Sequence, residues 1–399
     1  MPEKTIEIFS IKLGLCARNL SKNLKRRWKR QDIVTIEKNN MSNKKVALIN
    51  DTHFGMRNDN PHVLKFFCDF FEEQFFPTLL ENDVDYIIHM GDLVDRRKFV
   101  NFNTATKLHE CFTRNVIKNN MSLDIIVGNH DCAFKNTNRV NAIDILFTNS
   151  SYLNNINWFI DPIERVVKDV PVLYIPWICE ENYEKSMHLI NNCNSDIKYA
   201  FGHLELLGFE MYKGAVSETG LNRRMFEKFD HVWSGHFHHR STIDNITYVG
   251  TQYEMMWSDY NDPRGFEIVD LETGERQFFQ NERRLFHVIE FNSINPHTFN
   301  FNKYKHSFIK IIIDGQNFNE IVLESFIENL TKVDPIDIVV LNENELDLTN
   351  TNIDLSKIED TVHTFNSAID NMNEINDEKK KRLKNIMYEA YNEAQQVRV

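Results

Sequence analysis

The sequence VALINDTH, at residues 46–53, is the first of five places where an apolar run ends in metal-binding side chains. The apolar run predicts a short buried strand, and Asp51 and His53 stand where that strand ends and the chain turns. Carboxylate and imidazole groups are ligands that suit Mn²⁺, Fe²⁺ or Zn²⁺. This stretch therefore indicates both a strand and one part of a metal site.

Four further clusters follow in order, each after another apolar run. They are Gly91-Asp92 with Asp95-Arg96, Gly128-Asn129-His130-Asp131, Gly202-His203, and Gly235-His236-Phe237-His238. Between the first runs lie helical patterns, and the β-α-β-α-β order predicts a parallel sheet covered by helices. Since α/β sheets gather their chemistry at the carboxyl ends of the strands, we expect the five clusters to meet in one site.

Seven side chains are candidate metal ligands. They are Asp51, His53, Asp92, Asn129, His203, His236 and His238. Asp92 follows a glycine that permits a tight turn, and its carboxylate offers one oxygen to each of two ions. Two divalent ions about 3.5–4 Å apart lower the pKa of a water between them and clamp a phosphate, which predicts in-line attack on phosphorus. His130 is the candidate for stabilising or protonating the leaving oxygen.

Two acidic residues outside this ligand set are expected to support it. Asp131 is a candidate for orienting a histidine, and Asp95 is expected to pair with Arg96 behind the metals. The run Arg96, Arg97 and Lys98 also offers cations to a phosphate backbone, so a structural and a DNA-contacting interpretation both stand.

Composition restricts the classes of protein that fit. The chain has 399 residues, is 42% hydrophobic and contains no apolar run long enough for a membrane span, which predicts a soluble cytoplasmic protein. Its six cysteines are scattered, which favours free thiols in a reducing compartment. The net charge of −12 argues against coating nucleic acid by bulk attraction, so DNA binding requires local basic patches and metal ions.

The sequence divides into five predicted parts. Residues 1–41 form a basic extension with 10 Lys and Arg against 4 Asp and Glu, interpreted either as an addition outside the fold or as a nucleic-acid or targeting arm. Residues 42–283 form the phosphoesterase domain, and residues 284–341 have the pattern of a small β-β-α-β domain. Residues 342–354 are a polar linker, and residues 355–399 form two amphipathic helices.

Taken together, the five motifs over residues 46–250 resemble the calcineurin-like dimetal phosphoesterase superfamily. Within it, the chain is similar to double-strand-break repair nucleases of the SbcD type and to the small subunits of T-even-type phage recombination endonucleases. Gly128-Asn129-His130-Asp131, the stretch Gly250–Tyr260 and Arg264-Gly265-Phe266 carry this resemblance. The fold it implies is a four-layer α/β β-sandwich flanked by helices, with an α+β cap domain and a C-terminal helix pair.

The resemblance also implies a ligand set and an activity. One metal is held by Asp51, His53, Asp92 and His238, and the other by Asp92, Asn129, His203 and His236, with His130 as the catalytic histidine. The implied cofactors are two divalent ions, most often Mn²⁺. The implied activity is 3′→5′ exonuclease and endonuclease cleavage of double-stranded DNA ends in recombination and repair.

Partners follow from the same resemblance. Residues 355–399 are expected to bind an SbcC-type coiled-coil ATPase, although these helices also suit packing against the cap domain. A homodimer through the helices after the first two strands is implied, and the phenylalanine-rich run Phe66–Phe76 fits either that interface or ordinary core.

Two rival functions share many of these features. A protein phosphatase or small-molecule phosphodiesterase of the same superfamily uses the same metals, and the extra segments after residue 283 argue against it. A subunit that binds DNA ends without cleaving them is the second rival, and the complete ligand set argues against that function.

Overall fold

The structure, a computed structural model, describes residues 43–148, 155–315 and 318–342, with residues 369, 372, 379–381 and 383–384. The predicted N-terminal extension lies outside the described residues, as do almost all of the predicted linker and of the predicted helical tail. Among the residues that the structure describes, no helix has the length and apolarity needed to cross a membrane.

The first of two large sheets contains the strands that follow one another at the start of the fold. In spatial order it comprises β14 (Arg276–Gln280), β13 (Gly265–Asp270), β1 (Lys45–Ile49), β2 (Tyr86–His89), β3 (Ser122–Ile126) and β4 (Ile156–Phe159). Strands β1 to β4 are parallel, while β13 runs antiparallel to β1. The parallel strands all end at one edge, which is where their polar residues meet.

A second six-stranded sheet packs on the first. In spatial order it comprises β11 (Ser241–Ile243), β12 (Ile246–Tyr248), β10 (His231–Gly235), β7 (Tyr199–His203), β6 (Val170–Ile175) and β5 (Ile163–Val167). Leu48 and Ile88 of the first sheet share a buried cluster with Tyr174, Phe201 and Trp233 of the second. A short hairpin, β8 (Glu210–Tyr212) with β9 (Ala215–Val216), forms a separate two-stranded sheet.

Helices cover the outer faces of both sheets, which completes four layers and confirms the predicted α/β sandwich. They are α1 (Pro61–Phe70), α2 (Phe76–Glu81), α3 (Phe102–Leu108), α4 (Arg114–Lys118), α5 (Ala142–Phe147) and α6 (Tyr183–Asn192). Helix α1 begins at Pro61, and the preceding Asn60 side chain accepts hydrogen bonds from the amides of His62 and Val63. Single π-helical turns join α1 to α2 and α3 to α4.

The phenylalanine-rich run is core in this structure. Phe67, Phe70, Phe71, Phe75 and Phe76 are all at most 2% exposed and belong to the cluster beneath the first sheet. Their rings pack on one another and on Tyr253 rather than facing solvent. These five side chains are therefore ordinary core and are not available to a second subunit, whereas Phe66 is half-buried and the dimer itself stays a prediction.

The expectation of six free thiols is wrong for one pair. Cys68 of α1 and Cys111 of the π-helical turn before α4 form a disulfide, with their Cα atoms 5.3 Å apart. Packing of α1 beside the helix that follows β2 brings together two residues that are 43 positions apart in sequence. Cys132, Cys179 and Cys193 are free.

The cap segment, residues 284–341, has a three-stranded sheet of its own. Strands β15 (Phe286–Glu290), β16 (Phe308–Ile313) and β17 (Asp337–Asn342) are parallel, and α7 (Glu320–Thr331) connects the last two. Ile311 and Phe326 lie in its separate core. The observed order is the predicted β-β-α-β order.

Buried contacts attach the cap segment to the rest of the chain. The Glu254 carboxylate accepts hydrogen bonds from the amides of Leu285 and Phe286 and pairs with Arg284. The Arg57 guanidinium lies over the Phe286 ring, 5.6 Å from its centroid.

Candidate metal centre

The residues predicted as ligands meet at one edge of the sandwich, because each follows or ends a parallel strand. Asp51 and His53 follow β1, Asp92 follows β2, and Asn129 follows β3. From the second sheet, His203 ends β7, while His236 and His238 follow β10. The first sheet thus supplies all three oxygen ligands, which are two carboxylates and one amide. The second sheet supplies three of the four imidazoles.

Several ligand positions have left-handed backbone conformations. The φ angles are +48° at Asp51, +42° at His53, +56° at Asp92 and +89° at His236. Such conformations are unfavourable for residues other than glycine by about 1–2 kcal/mol each and recur at functional sites. Gly91 permits a close approach, since a Cβ there would overlap Nδ1 of His203. The chain therefore turns sharply to aim these side chains inward.

One ligand cluster contains Asp51, His53 and His238, whose ligand atoms all lie within 4.8 Å of one another. Nε2 of His53 lies 3.2 Å from Nε2 of His238 and 3.8 Å from Oδ2 of Asp92. The Asp51 carboxylate also accepts a hydrogen bond from the His236 amide at 3.0 Å. The three side chains of this cluster, with Asp92, are those expected to hold the first ion.

The second cluster contains Asp92, His203 and His236, again within 4.8 Å of one another. Oδ2 of Asp92 lies 3.3 Å from Nε2 of His203. The amide oxygen of Asn129 lies 2.8 Å from Nε2 of His203 and 2.9 Å from Nδ1 of His236. Asp92 contacts members of both clusters, so its carboxylate is placed to be shared.

Groups behind the ligands fix their orientation. His203 donates a hydrogen bond from Nδ1 to the carbonyl oxygen of Met90 at 2.8 Å, which leaves Nε2 for a metal. Oδ1 of Asp95 lies 3.3 Å from Nδ1 of His53.

Asp131 differs from the expectation that it orients a histidine. Its carboxylate accepts hydrogen bonds from the backbone amides of Asp92, Val94 and Gly128. Asp131 therefore holds two ligand-bearing turns together through the backbone.

His130 lies beside the clusters rather than within the two ligand sets. Its amide donates to Oδ1 of Asp92 at 2.7 Å, and its ring packs edge-on against His53 with centroids 4.8 Å apart. Nδ1 donates to the Asp95 carbonyl oxygen at 2.6 Å, so Nε2 is the nitrogen left for a substrate. Burial lowers the pKa of His130, against the opposing effect of Asp92.

The electrostatics of the clusters favour cations. Burial lowers the pKa of His53, but Asp95, Asp92 and Asp51 overcome it and raise that pKa to about 9. Burial also lowers the pKa of His203, and here the Asp92 carboxylate outweighs it and raises that pKa to about 9. The carboxylates therefore favour positive charge at these two positions, and a bound cation supplies such charge.

The donor set fits two divalent transition-metal ions. Buried carboxylates, one amide oxygen and four imidazoles form two adjacent groups, and burial with His203 lowers the pKa of His236 to about 3. A neutral imidazole is the form that binds metals. The mixture of oxygen and nitrogen donors suits Mn²⁺, Fe²⁺ and Zn²⁺, and does not distinguish among them.

Arg96, the first residue of the basic run beside the site, has a different acidic partner from the one expected. Arg96 is buried and pairs with Asp59 instead of Asp95, and its guanidinium lies 4.4 Å from the Phe99 ring centroid. The expected Asp95–Arg96 pair is thus wrong, and burial leaves Arg96 poorly placed to contact a DNA backbone. Arg97 is half-buried and Lys98 is exposed.

Three residues that contact the ligands or the ligand-bearing turns are not among those predicted from the sequence. The buried Arg264 donates to the His238 carbonyl oxygen and pairs with Asp259. Gln252, fully buried, donates to the Asn50 carbonyl oxygen at 2.6 Å. The Trp177 ring lies 5.1 Å from that of His236.

The fold and the paired ligand clusters define a class of protein. The sequence pattern of the calcineurin-like phosphoesterases matches residues 44–240. The chain belongs to the calcineurin-like phosphoesterase family and is a metal-dependent phosphodiesterase.

Two characterised proteins of known name are similar to this chain in sequence. The chain is 32% identical over 241 residues to exonuclease subunit 1 of Enterobacteria phage T4, a match that covers 59% of this chain and 68% of the relative. It is 26% identical over 232 residues to the SbcD component of the SbcCD nuclease of Staphylococcus epidermidis, covering 51% of this chain and 59% of the relative. A dimetal phosphatase structure from Danio rerio aligns at 10% identity and a TM-score of 0.36 over 60% of this chain and 96% of that one, a likeness too weak to support an assignment.

Proposed function

We propose that the chain is a Mn²⁺-dependent DNA nuclease with 3′→5′ exonuclease and endonuclease activity on double-stranded ends. The observation that supports it most directly is the pair of ligand clusters that meet at Asp92, with His130 beside them. The two curated relatives, an exonuclease subunit and a component of a nuclease, favour DNA over other phosphodiesters. The proposed place of action is the cytoplasm, of the host if the chain is encoded by a phage.

The proposed chemistry assigns separate tasks to the ligands and to His130. When bound, two divalent ions would supply an activated water and would neutralise the charge of a phosphodiester. Asp51, His53, Asp92 and His238 are proposed to hold one ion, and Asp92, Asn129, His203 and His236 the other. His130 is proposed to stabilise or protonate the leaving oxygen from Nε2, since Nδ1 is committed to the Asp95 carbonyl.

The proposal also assigns the remaining segments. Residues 42–283 form the nuclease domain and residues 284–341 a cap that contacts DNA, with Arg97 and Lys98 as candidate contacts from the nuclease domain. After a linker at 342–354, residues 355–399 bind an SbcC-type coiled-coil ATPase. We further propose a homodimer through the helices after the first two strands, using surface other than the buried phenylalanine stripe. No role is proposed for residues 1–41.

Cleavage of an end-labelled DNA duplex in Mn²⁺ tests the nuclease assignment. The wild-type chain should shorten the duplex, and Asp92→Ala should not. Asp230→Ala, which changes an exposed carboxylate outside the ligand set, should match wild type. Turnover of para-nitrophenyl phosphate measured in parallel identifies a phosphatase. Intact DNA with phosphate-ester turnover would reject the nuclease proposal while keeping the metal centre.

His130→Asn separates the proposed role of this residue from metal binding. We expect two bound ions and normal DNA binding, with cleavage reduced about 10²–10⁴-fold, the usual contribution of a positioned proton donor. Metal analysis gives the number of ions and a gel-shift assay gives DNA affinity. Loss of an ion in this variant would show that His130 is a ligand instead.

Removal of residues 351–399 tests the proposed partner. The shortened chain should keep weak nuclease activity because the ligands all precede residue 239. It should no longer co-purify with an SbcC-type ATPase that the full chain retains. Co-purification of the shortened chain would place the docking surface elsewhere.

A further inference from the structure

Outside the metal centre lies a further group of side chains that could hold a metal ion, called the third cluster below, and it shares no residue with the metal centre. His62, His306 and Asp334 each offer a ligand atom, and these atoms all lie within 4.8 Å of one another. The His62 and His306 rings stack with centroids 3.9 Å apart, and Nε2 of His306 lies 3.1 Å from Oδ2 of Asp334. Two imidazoles and one carboxylate are a donor set found in zinc sites that have three protein ligands and a fourth position for water.

The three residues come from separate segments and join two parts of the molecule. His62 is the second residue of α1, in the phosphoesterase part of the chain. His306 precedes β16 and Asp334 follows α7, both in the cap segment. Any ion held by all three side chains would therefore connect the cap segment to α1.

The backbone already places these ligands. The His306 amide donates to the Asp334 carbonyl oxygen at 3.0 Å, which keeps the two cap residues side by side. The His62 amide donates to Oδ1 of Asn60 at 2.9 Å, which fixes the start of α1. The backbone that carries the ligands is therefore ordered before an ion binds, and rotation of the side chains completes the site.

Other contacts at the junction attach different parts of the cap segment. Arg57 lies over the rings of Phe286 and Phe308, with distances of 5.6 and 5.1 Å to the centroids. The Glu254 carboxylate holds the start of β15 at the entry to the cap segment. Those contacts attach the entry strand and its neighbour, whereas the third cluster joins the loops at 306 and 334 to α1.

We propose that His62, His306 and Asp334 bind one divalent transition-metal ion, with Zn²⁺ the best fit, and that this ion fastens the cap segment to the phosphoesterase domain. Nitrogen-rich three-ligand sets with one carboxylate favour Zn²⁺ over Mg²⁺ or Ca²⁺, which prefer oxygen donors. The ion restricts movement of the cap segment relative to α1. This inference goes beyond the nuclease proposal and holds whatever phosphodiester the chain cleaves.

Counting bound ions tests the proposal without measuring activity. The full chain is equilibrated with Zn²⁺ alone, dialysed and analysed by mass spectrometry for zinc per chain. His62→Ala, His306→Ala and Asp334→Asn should each bind one zinc fewer than wild type, while His297→Ala, an exposed histidine of the same segment, should bind the wild-type number. The difference of one is independent of how many ions the dimetal centre holds, so failure here and failure of the nuclease proposal are distinguishable.

Hydrogen exchange supplies a second readout that does not depend on stoichiometry. At free Zn²⁺ ten times the dissociation constant, opening of the junction should become about tenfold rarer. Amides around residues 306–308 and 334–337 should therefore exchange about tenfold more slowly in wild type and not in His306→Ala. Equal zinc content in wild type and all three variants, or zinc protection that survives His306→Ala, would overturn the proposal. In that case ring stacking and the His306–Asp334 hydrogen bond alone account for the cluster.

Discussion

Replacing Asp131 with alanine should destabilise the protein and weaken its metal binding together. The Asp131 carboxylate is fully buried and accepts hydrogen bonds from the amides of Asp92 and Gly128 at 2.9 Å and of Val94 at 3.1 Å. Alanine leaves these three buried donors without an acceptor. It also frees the turn after β2 from the turn after β3, on which the ligands Asp92 and Asn129 stand.

The size of the effect follows from the three donors. Each buried donor left unsatisfied costs about 1–3 kcal/mol, and removal of a buried carboxylate recovers part of that total because its own desolvation is unfavourable. Burial raises the pKa of Asp131 to about 7, which shows that this desolvation is substantial. We therefore expect Asp131→Ala to lower the free energy of unfolding by about 3–5 kcal/mol. Asp131→Asn keeps one acceptor oxygen, so the free energy of unfolding should fall by about half as much as in Asp131→Ala.

Urea unfolding followed by circular dichroism, in chelator, measures these free energies without bound metal. Asp230→Ala is the matched control, because Asp230 is exposed and its pair with Lys198 is worth at most about 1 kcal/mol. Titration with Mn²⁺ should show weaker binding in Asp131→Ala than in the control. An Asp131→Ala protein within about 1 kcal/mol of wild type, with unchanged Mn²⁺ affinity, would refute the assignment of Asp131 as the link between the two turns.

Two further predictions concern residues outside the ligand set. Arg264→Met should lower the free energy of unfolding by about 3–5 kcal/mol because it leaves the buried Asp259 carboxylate without its cation. Arg264→Lys should restore only part of this stability, since lysine lacks the planar guanidinium group. Equal stability of the methionine variant and wild type in urea would contradict this. Burial, with Lys303 and Arg284, lowers the pKa of His287 to about 4. The unfolded chain takes up that proton near pH 6.5, so stability is fully present above this pH and falls as pH decreases towards 4. Between about pH 7 and pH 5, the His287→Gln variant should lose about 1–2 kcal/mol less free energy of unfolding than wild type. Thermal unfolding at the two pH values measures this difference.

Much of the fold is predictable because many of its strands are short apolar runs that end at glycine or polar residues. Two such runs in the sequence, Gly265–Asp270 and Phe308–Ile313, are the strands β13 and β16 of the structure. The five clusters are predictable for a related reason, since glycine and polar residues after an apolar run indicate where a strand ends. The structure brings the seven candidate ligands into two adjacent groups.

Features that depend on distant packing are not predictable from these local patterns. Strand β5 has three exposed residues among its five, and its sequence, IERVV, lacks a continuous apolar face. The partner of Arg96 is Asp59, 37 residues earlier, whereas proximity in sequence favours Asp95. The Cys68–Cys111 disulfide likewise requires knowledge of which helices lie side by side.

The division of ligands between the two sheets links metal binding to the packing of the sandwich. The carboxylates of Asp51 and Asp92 come from the first sheet, and the imidazoles of His203, His236 and His238 come from the second. Neither sheet alone presents the full donor set that two ions need. An ion bound between them therefore stabilises only the packed arrangement, by an amount that grows with ion concentration. The buried left-handed turns at the ligands are unfavourable by themselves, and the same ions offset that strain by occupying the geometry that the turns create. Stability and the capacity to bind metal are thus expected to rise and fall together in this protein.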